Sequence, residues 1–173
     1  LNRNLTIQLS EIKAVVNELH TMFDFILIDC PAGIDAGFKR AISCADEALV
    51  VTTPHLSSIR DADKVITILS TFNITNKRFV INRARGDLIQ DKLMFDVHDI
   101  GKTLNIEFGG VIPEDDNVIT NTSDKIKNNK IALNRAFDIL CENILTGKKK
   151  LFDCTYKYRG LLGSIKRLLK RSV

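Results

Sequence analysis

Apolar and polar residues alternate between strand-like runs and helix-like faces along most of the chain. Short runs rich in β-branched and aromatic residues predict strands at residues 23–29, 47–53, 79–81 and 109–112. Apolar residues at intervals of three and four predict helices over residues 9–19, 38–44, 57–69, 94–104 and 131–145. Connections of this length join parallel strands, so we expect an α/β fold with a mostly parallel sheet and helices on both faces.

Three of the predicted strands end in residues that suit a ligand site. Asp29 is followed by a Pro-Ala-Gly turn, Asn82 ends the third strand, and a Pro-Glu-Asp turn follows the fourth. The carboxyl ends of parallel strands share one edge of a sheet, so these residues are expected to converge. An amide side chain suits the edge of adenine, and a carboxylate can hold a Mg²⁺-bound water beside a phosphate. The alternative interpretations are that Asp29 is an incidental carboxylate, Asn82 a turn residue and Pro113 a strand terminator.

Composition narrows the class of protein. The chain has 173 residues, of which 45% are hydrophobic, and this suffices for one domain or most of one. No apolar run approaches the roughly 20 residues that cross a bilayer. Four cysteines lie far apart without CxxC spacing, which indicates free thiols in a reducing cytoplasm. The first residue is Leu1, which suggests that the chain starts inside a longer protein.

The C-terminal end has a different pattern from the body. The net charge is only +4, but basic residues crowd the last 26 positions. Residues 147–158 lack periodicity and predict a flexible basic tether, and residues 159–173 predict an amphipathic helix. Such a helix lies in an anionic membrane interface, whereas a core helix is the alternative interpretation. The predicted membrane residues are Leu161, Leu162, Ile165, Lys166, Arg167, Leu168 and Leu169.

Four segments together resemble a known family. They are FDFILIDCPAGID at residues 23–35, ADEA at 45–48, SSIRDAD at 57–63 and GVIPED at 110–115. The chain resembles, from about Phe23 to its C-terminus, the septum-site branch of the ParA/MinD family of deviant Walker-A P-loop ATPases. The resemblance implies that residues 1–146 form the C-terminal part of a three-layer, P-loop NTPase-like domain, incomplete at its N-terminus.

The resemblance also assigns roles to residues. It makes Asp29 a Walker-B-like carboxylate that contacts Mg²⁺ through a water, and residues 30–33, including Gly33, the switch II loop. The cofactors it implies are ATP and Mg²⁺, with Asn82 on one side of adenine. The residues on the other side are Pro113, Glu114 and Asp115. The residues implied to contact regulators are Arg60, Asp61 and Asp63, and a solvated helix face is the alternative.

The family's function would be a membrane-associated ATPase that positions the division septum. It cycles between a cytoplasmic monomer and an ATP-bound homodimer on the inner face of the cell membrane, and its partners are division-inhibitor and topological regulators of the MinC, MinE or MinJ kind. A role for DNA is disfavoured by the apolar stripe of the tail. The alternatives are a ParA-type DNA-segregation ATPase, a flagellar-number ATPase, or a non-enzymatic binding module.

One family motif does not occur in these residues. The phosphate-binding pattern GxxxxGK[ST] is found nowhere in the 173 positions. Without its backbone N–H groups and lysines, a triphosphate has no cradle. We therefore expect the chain to be a C-terminal portion of a Mg²⁺-dependent ATPase, and to be inactive as an ATPase by itself.

Overall fold

A computed structural model describes residues 8–31, 33–115 and 126–171. Two compact units are present: the described part of Leu1–Ala48 together with Thr67–Asn76, and Leu49–Ile66 together with the described part of Lys77–Val173. The elements in chain order are α1 (Leu9–Leu19), α2 (Ala36–Ile42), β1 (Glu47–Thr52), α3 (Leu56–Thr71), β2 (Asn76–Ala84), α4 (Gly86–Gln90), α5 (Val97–Leu104), β3 (Glu107–Pro113), α6 (Ile126–Thr146), a 3-10 turn (Tyr156–Tyr158) and α7 (Gly160–Arg171).

Helices α1 and α2, in the first unit, begin at polar caps. The backbone N–H of Gln8 donates to the Glu11 carboxylate over 2.7 Å at the start of α1. The Asp35 carboxylate accepts from the N–H groups of Gly37 and Phe38, at 2.8 and 3.2 Å, and caps α2. This cap explains why α2 begins two residues before the start that its apolar pattern predicted. Behind the cap, the Phe38 side chain is buried.

The strand predicted at residues 23–29 is wrong. Residues 25–30 form neither strand nor helix, and the Leu27 side chain is 95% exposed. A strand exists only where a neighbour completes its N–H and C=O hydrogen bonds. In the part of the chain that the structure describes, the sheet contains only β1, β2 and β3. The apolar pattern therefore marks a segment with the composition of a strand but without a described pairing partner.

The described sheet has the strand order β1-β2-β3. β2 and β3 are parallel, with Phe79 opposite Phe108 and Ile81 opposite Val111, which confirms the predicted parallel class. The rings of Phe79 and Phe108 meet edge to face with centroids 5.6 Å apart. β2 continues to Ala84, beyond the predicted end at residue 81. The carboxyl ends of these two strands therefore lie side by side.

Helix α6 packs on β3 and closes the core of the second unit. Ala136 and Leu140 of α6 are buried against Val80 and Ile112. A Cβ built on Gly110 would lie 2.9 Å from Cδ1 of Leu140, so a larger residue there would require the Leu140 side chain to shift. The predicted helix over residues 131–145 is confirmed and is longer at its start.

The helix predicted over residues 94–104 corresponds to α5, which is three residues shorter at its start, and α4 was not predicted. A short α4 follows β2, and α5 begins only at Val97, where the Asp96 carboxylate accepts from the Asp99 N–H over 2.9 Å. Asn105 ends α5 in the left-handed conformation, with φ of 48°. No helix in residues 8–31, 33–115 or 126–171 is long and apolar enough to cross a membrane.

Candidate functional site

The predicted site residues fall in both units. Asp29 and Gly33 belong to the first unit. Asp29 is exposed. The pKa of the neighbouring Cys30 thiol is raised, first by partial burial of the thiol and second by the negative charge of Asp29. Gly33 has φ of 93°, a conformation that side chains rarely adopt, and its turn leads into the cap of α2. Ala32 lies outside the described residues.

Whether Asp29 suits a magnesium site depends on which other groups supply ligands to the ion. Among the described residues, no group of three or more His, Cys, Asp or Glu side chains could hold a metal ion. Mg²⁺ commonly uses one or two carboxylates, several waters and the phosphates of a nucleotide. A single exposed carboxylate such as Asp29 fits that pattern. The chemistry expected of the ion is neutralisation of phosphate charge.

In the second unit, the structure brings Asn82 and the 113–115 turn to adjacent strand ends. Ala84 and Pro113 are register partners, and the Glu114 N–H donates to the Ala84 carbonyl over 3.1 Å. The Asn82 side-chain oxygen accepts from the Arg83 N–H over 2.9 Å. The expected convergence of these two strand ends is confirmed. The adenine-binding roles of the residues stay predictions.

Arginines that the sequence interpretation missed hold the Glu114 side chain. Arg83, with φ of 58°, donates from Nε and Nη2 to Oε1 of Glu114 at 3.1 and 2.8 Å. Arg85 lies 3.8 Å from the other carboxylate oxygen and makes a two-point ion pair with the buried Asp87. The Glu114 carboxylate is therefore held by cations within the site. No local pattern in the sequence predicted this contact, because Arg83 has a left-handed φ at the end of β2 and Arg85 follows the strand.

A cleft of about 780 Å³ opens beside the 113–115 turn. Arg85 and Asp87 line it, as do Arg135 and Ile139 of α6. Residues 151–154 and 156–158 also line it. The segment that leads to α7 therefore lies against the same cleft as the predicted adenine-side turn.

The proposed regulator face lies on α3. The side chains of Arg60, Asp61 and Asp63 are exposed, while Ile59 and Ala62 of the same helix are buried. Asp61 pairs with Lys64 over 3.1 Å between two largely exposed side chains, an interaction that contributes little in water. The three residues are accessible to a partner, and their role in regulator binding stays a prediction.

Residues 147–159, which we call the strap, connect α6 to α7. The buried Asn143 side chain donates to the carbonyl oxygens of Gly109 and Lys150, both at 2.8 Å, and accepts from the Lys150 N–H at 2.9 Å. Lys148 and Lys150 pair with Glu142, and these hydrogen bonds lower the pKa of that carboxyl. The strap thus has defined contacts in the structure, and its flexibility in solution stays a prediction.

Helix α7 agrees with the predicted amphipathic pattern at its apolar residues. Five apolar residues of α7, which we call the apolar stripe, are each at least half exposed, and Leu161 is 88% exposed. The stripe consists of Leu161, Leu162, Ile165, Leu168 and Leu169. Lys166 is exposed beside the stripe, whereas the Arg167 side chain is only 19% exposed because it pairs with Asp91 over 2.9 Å. The side chains of Lys170 and Arg171 lie outside the described part.

Known protein sequences match this chain over most of its length. A family model described as ATPase MipZ matches residues 1–85. The chain is 40% identical to the MinD septum site-determining protein of Mesostigma viride over 154 residues, which is 87% of this chain and 54% of that protein. It is 46% identical over 110 residues to MinD of Bacillus subtilis, 63% of this chain and 41% of that protein. The chain thus spans about half the length of these relatives.

Solved structures match the fold. MinD of Aquifex aeolicus has a TM-score of 0.75 and 33% identity, with 84% of this chain and 64% of that chain covered. A MinC:MinD complex from Aquifex aeolicus gives 0.74 and 32%, covering 84% and 62%. MinD of Pyrococcus horikoshii complexed with Mg-ADP gives 0.65 and 27%, covering 83% and 60%. By sequence and by fold, the chain is related to the MinD septum site-determining proteins of the ParA/MinD family.

Proposed function

We propose that this chain is part of a membrane-associated ATPase that selects the division site. The observation that carries the proposal is that the apolar stripe of α7 is exposed, on a helix that also carries basic residues. The chain is also related to MinD. An exposed apolar patch of this kind marks an interaction surface. Together with the neighbouring positive charge, it fits an anionic bilayer in which the helix lies parallel to the surface.

The energetics favour reversible binding. Each stripe residue contributes about 1.5–3 kcal/mol when fully buried, and an interfacial helix buries its side chains only in part. Two helices carried by a homodimer gain about 10²–10⁴ in avidity from the second tethered site. ATP-dependent dimerisation would therefore switch the protein between a cytoplasmic monomer and a dimer on the inner face of the membrane.

The nucleotide proposal rests on the adjacent strand ends of the second unit. The structure of a MinD protein with Mg-ADP supports ATP and Mg²⁺ as cofactors of the whole protein. Asn82 and the backbone of residues 113–115 would face adenine, and Asp29 would hold a water on the metal ion. The 173 residues contain no GxxxxGK[ST] pattern, so we propose that they do not hydrolyse ATP by themselves. Mg²⁺-dependent ATP turnover by this polypeptide would contradict that statement.

A division inhibitor of the MinC kind is the partner best supported, because a related MinD forms a complex with MinC. We place its contact on the exposed face of α3 at Arg60, Asp61 and Asp63. Topological regulators of the MinE or MinJ kind would use the same helix. Reversal of charge at Arg60 should weaken capture of a MinC-like protein at least tenfold, whereas unchanged capture would place that contact elsewhere.

Sedimentation with anionic vesicles tests the membrane proposal. The wild-type chain should sediment with vesicles. Ile165→Glu or Leu168→Glu should remain in the supernatant, because transfer of a charge into the acyl region is energetically unfavourable. Leu145→Glu is the matched control, since Leu145 is an equally exposed apolar residue on α6 at 62%. Unchanged sedimentation of both α7 variants would refute the proposal. Retention on duplex DNA in place of vesicles would favour the DNA-segregation alternative.

A further inference from the structure

The Arg167 guanidinium links the polar side of α7 to residues that precede this helix in the second unit. Arg167 Nε lies 2.9 Å from the Asp91 carboxylate, and the two side chains are 19% and 21% exposed. The same guanidinium donates to the Tyr158 carbonyl oxygen and to the Ser164 hydroxyl. A single side chain thus joins three places: the residue after α4, the turn before α7 and α7 itself.

Two glycines let the strap and α7 approach the backbone beneath them. A Cβ built on Gly86, in α4, would overlap the carbonyl group of Cys154 in the strap. A Cβ built on Gly163, in α7, would overlap the carbonyl group of Tyr158. Any larger residue at either position would force the backbones apart. The attachment of α7 therefore depends on close backbone contact as well as on Arg167.

The attachment fixes which side of α7 faces outward. At about 100° per residue, Ile165 lies at the centre of the apolar stripe and Arg167 lies on the opposite side of the helix. Lys166 lies at the flank of the stripe, about a quarter turn from its centre. When Arg167 faces Asp91, the stripe faces away from the protein, and Lys166 is free to meet lipid headgroups beside it.

We propose that Arg167 is a positioning residue rather than a lipid contact. Its ion pair with Asp91 docks α7 on the protein and holds the apolar stripe outward, so that the protein meets the membrane in one orientation. Lys166 supplies the electrostatic contact with the anionic surface. This inference rests on the proposed membrane function, but the docking of α7 is a property of the protein in solution.

Amide hydrogen exchange of the full chain in solution, without vesicles, tests the docking. Arg167→Gln and Asp91→Asn should each speed exchange in residues 156–169 at least tenfold, while β3 exchanges as in the wild type. Lys166→Gln is the matched control, because it removes the same charge from the neighbouring position and should leave exchange unchanged. Equal exchange in Arg167→Gln, Lys166→Gln and wild type would overturn the proposal. Asp91→Asn is informative because it leaves the sequence of α7 intact.

A vesicle titration at constant salt separates the two basic residues. Loss of one basic residue at an anionic surface weakens binding by roughly fivefold, so Lys166→Gln should show that loss. Arg167→Gln and Asp91→Asn should change vesicle affinity by less than twofold. An equal loss in Arg167→Gln and Lys166→Gln would make Arg167 a lipid contact and overturn the proposal. Failure of the membrane function itself appears elsewhere, as unchanged sedimentation of Ile165→Glu and Leu168→Glu.

Discussion

Helices α6 and α7 are both amphipathic, follow one another in the chain and meet different surroundings. α6 covers its apolar side with β3, where Ala136 and Leu140 are buried. α7 leaves its apolar stripe exposed and is held by Arg167 on its polar side. The comparison shows that apolar periodicity predicts that a stripe exists but not what covers it. The burial of α6 serves stability, whereas the exposure of α7 leaves its stripe available for binding.

The largest loss in the free energy of unfolding should come from substitution of a buried residue of α6. Leu140→Ala removes a side chain that is 8% exposed and lies against Gly110, and should lower the free energy of unfolding by about 2–5 kcal/mol. Urea denaturation measures the change. Leu145→Ala, on the exposed side of the same helix, should change it by less than about 0.5 kcal/mol. Equal effects of the two variants would mean that α6 does not pack on β3 as described.

The next effect concerns the end of α6, where the strap is anchored. Asn143→Ala removes three hydrogen bonds, of which the one to the Gly109 carbonyl is buried and the two to the Lys150 backbone are partly buried. This should cost about 1–3 kcal/mol in the free energy of unfolding. Asn134→Ala, on an exposed position of the same helix, is the control and should be nearly neutral. A neutral Asn143→Ala would show that the strap is not anchored there.

Acidic pH should also weaken the attachment of the strap to the end of α6, by less than Asn143→Ala does. Hydrogen bonds from Lys150 and Lys148 lower the pKa of Glu142 in the folded protein. The lowered pKa means that this contribution is complete above the unfolded-state pKa of about 4.3 and is lost as the pH falls through the folded-state pKa. Backbone exchange of residues 147–150, corrected for intrinsic rates, should therefore rise below that pH. In Glu142→Gln, that additional rise should be absent.

The smallest effect on folding should come from α7. Leu168→Ala removes an apolar side chain that is 66% exposed, so the free energy of unfolding should change by less than about 0.5 kcal/mol. The same type of change at Leu140 in α6 costs several times more. A large loss of stability in Leu168→Ala would show that the stripe is covered by the protein itself.

The sequence predicted the α/β class, the parallel pairing of β2 and β3, and most helices, because periodicity and caps are local signals. It failed at residues 23–29, where apolar composition is present but pairing depends on a neighbouring strand. Burial of Arg167 was unpredictable from its helical pattern, since its partner Asp91 lies 76 positions earlier in the chain. The Arg83 contact with Glu114 needed a positive φ that no local signal at an arginine indicates.

Single-tryptophan fluorescence tests the central claim, that the stripe of α7 enters a membrane. The chain contains no tryptophan, so each substitution provides a single reporter. On addition of anionic vesicles with brominated acyl chains, Ile165→Trp, at the centre of the stripe, should show a blue-shifted and strongly quenched emission. With enough vesicles to bind both variants fully, Lys166→Trp, at the flank of the stripe, should be quenched much less. Equal quenching at the two positions, or none at either, would contradict the account.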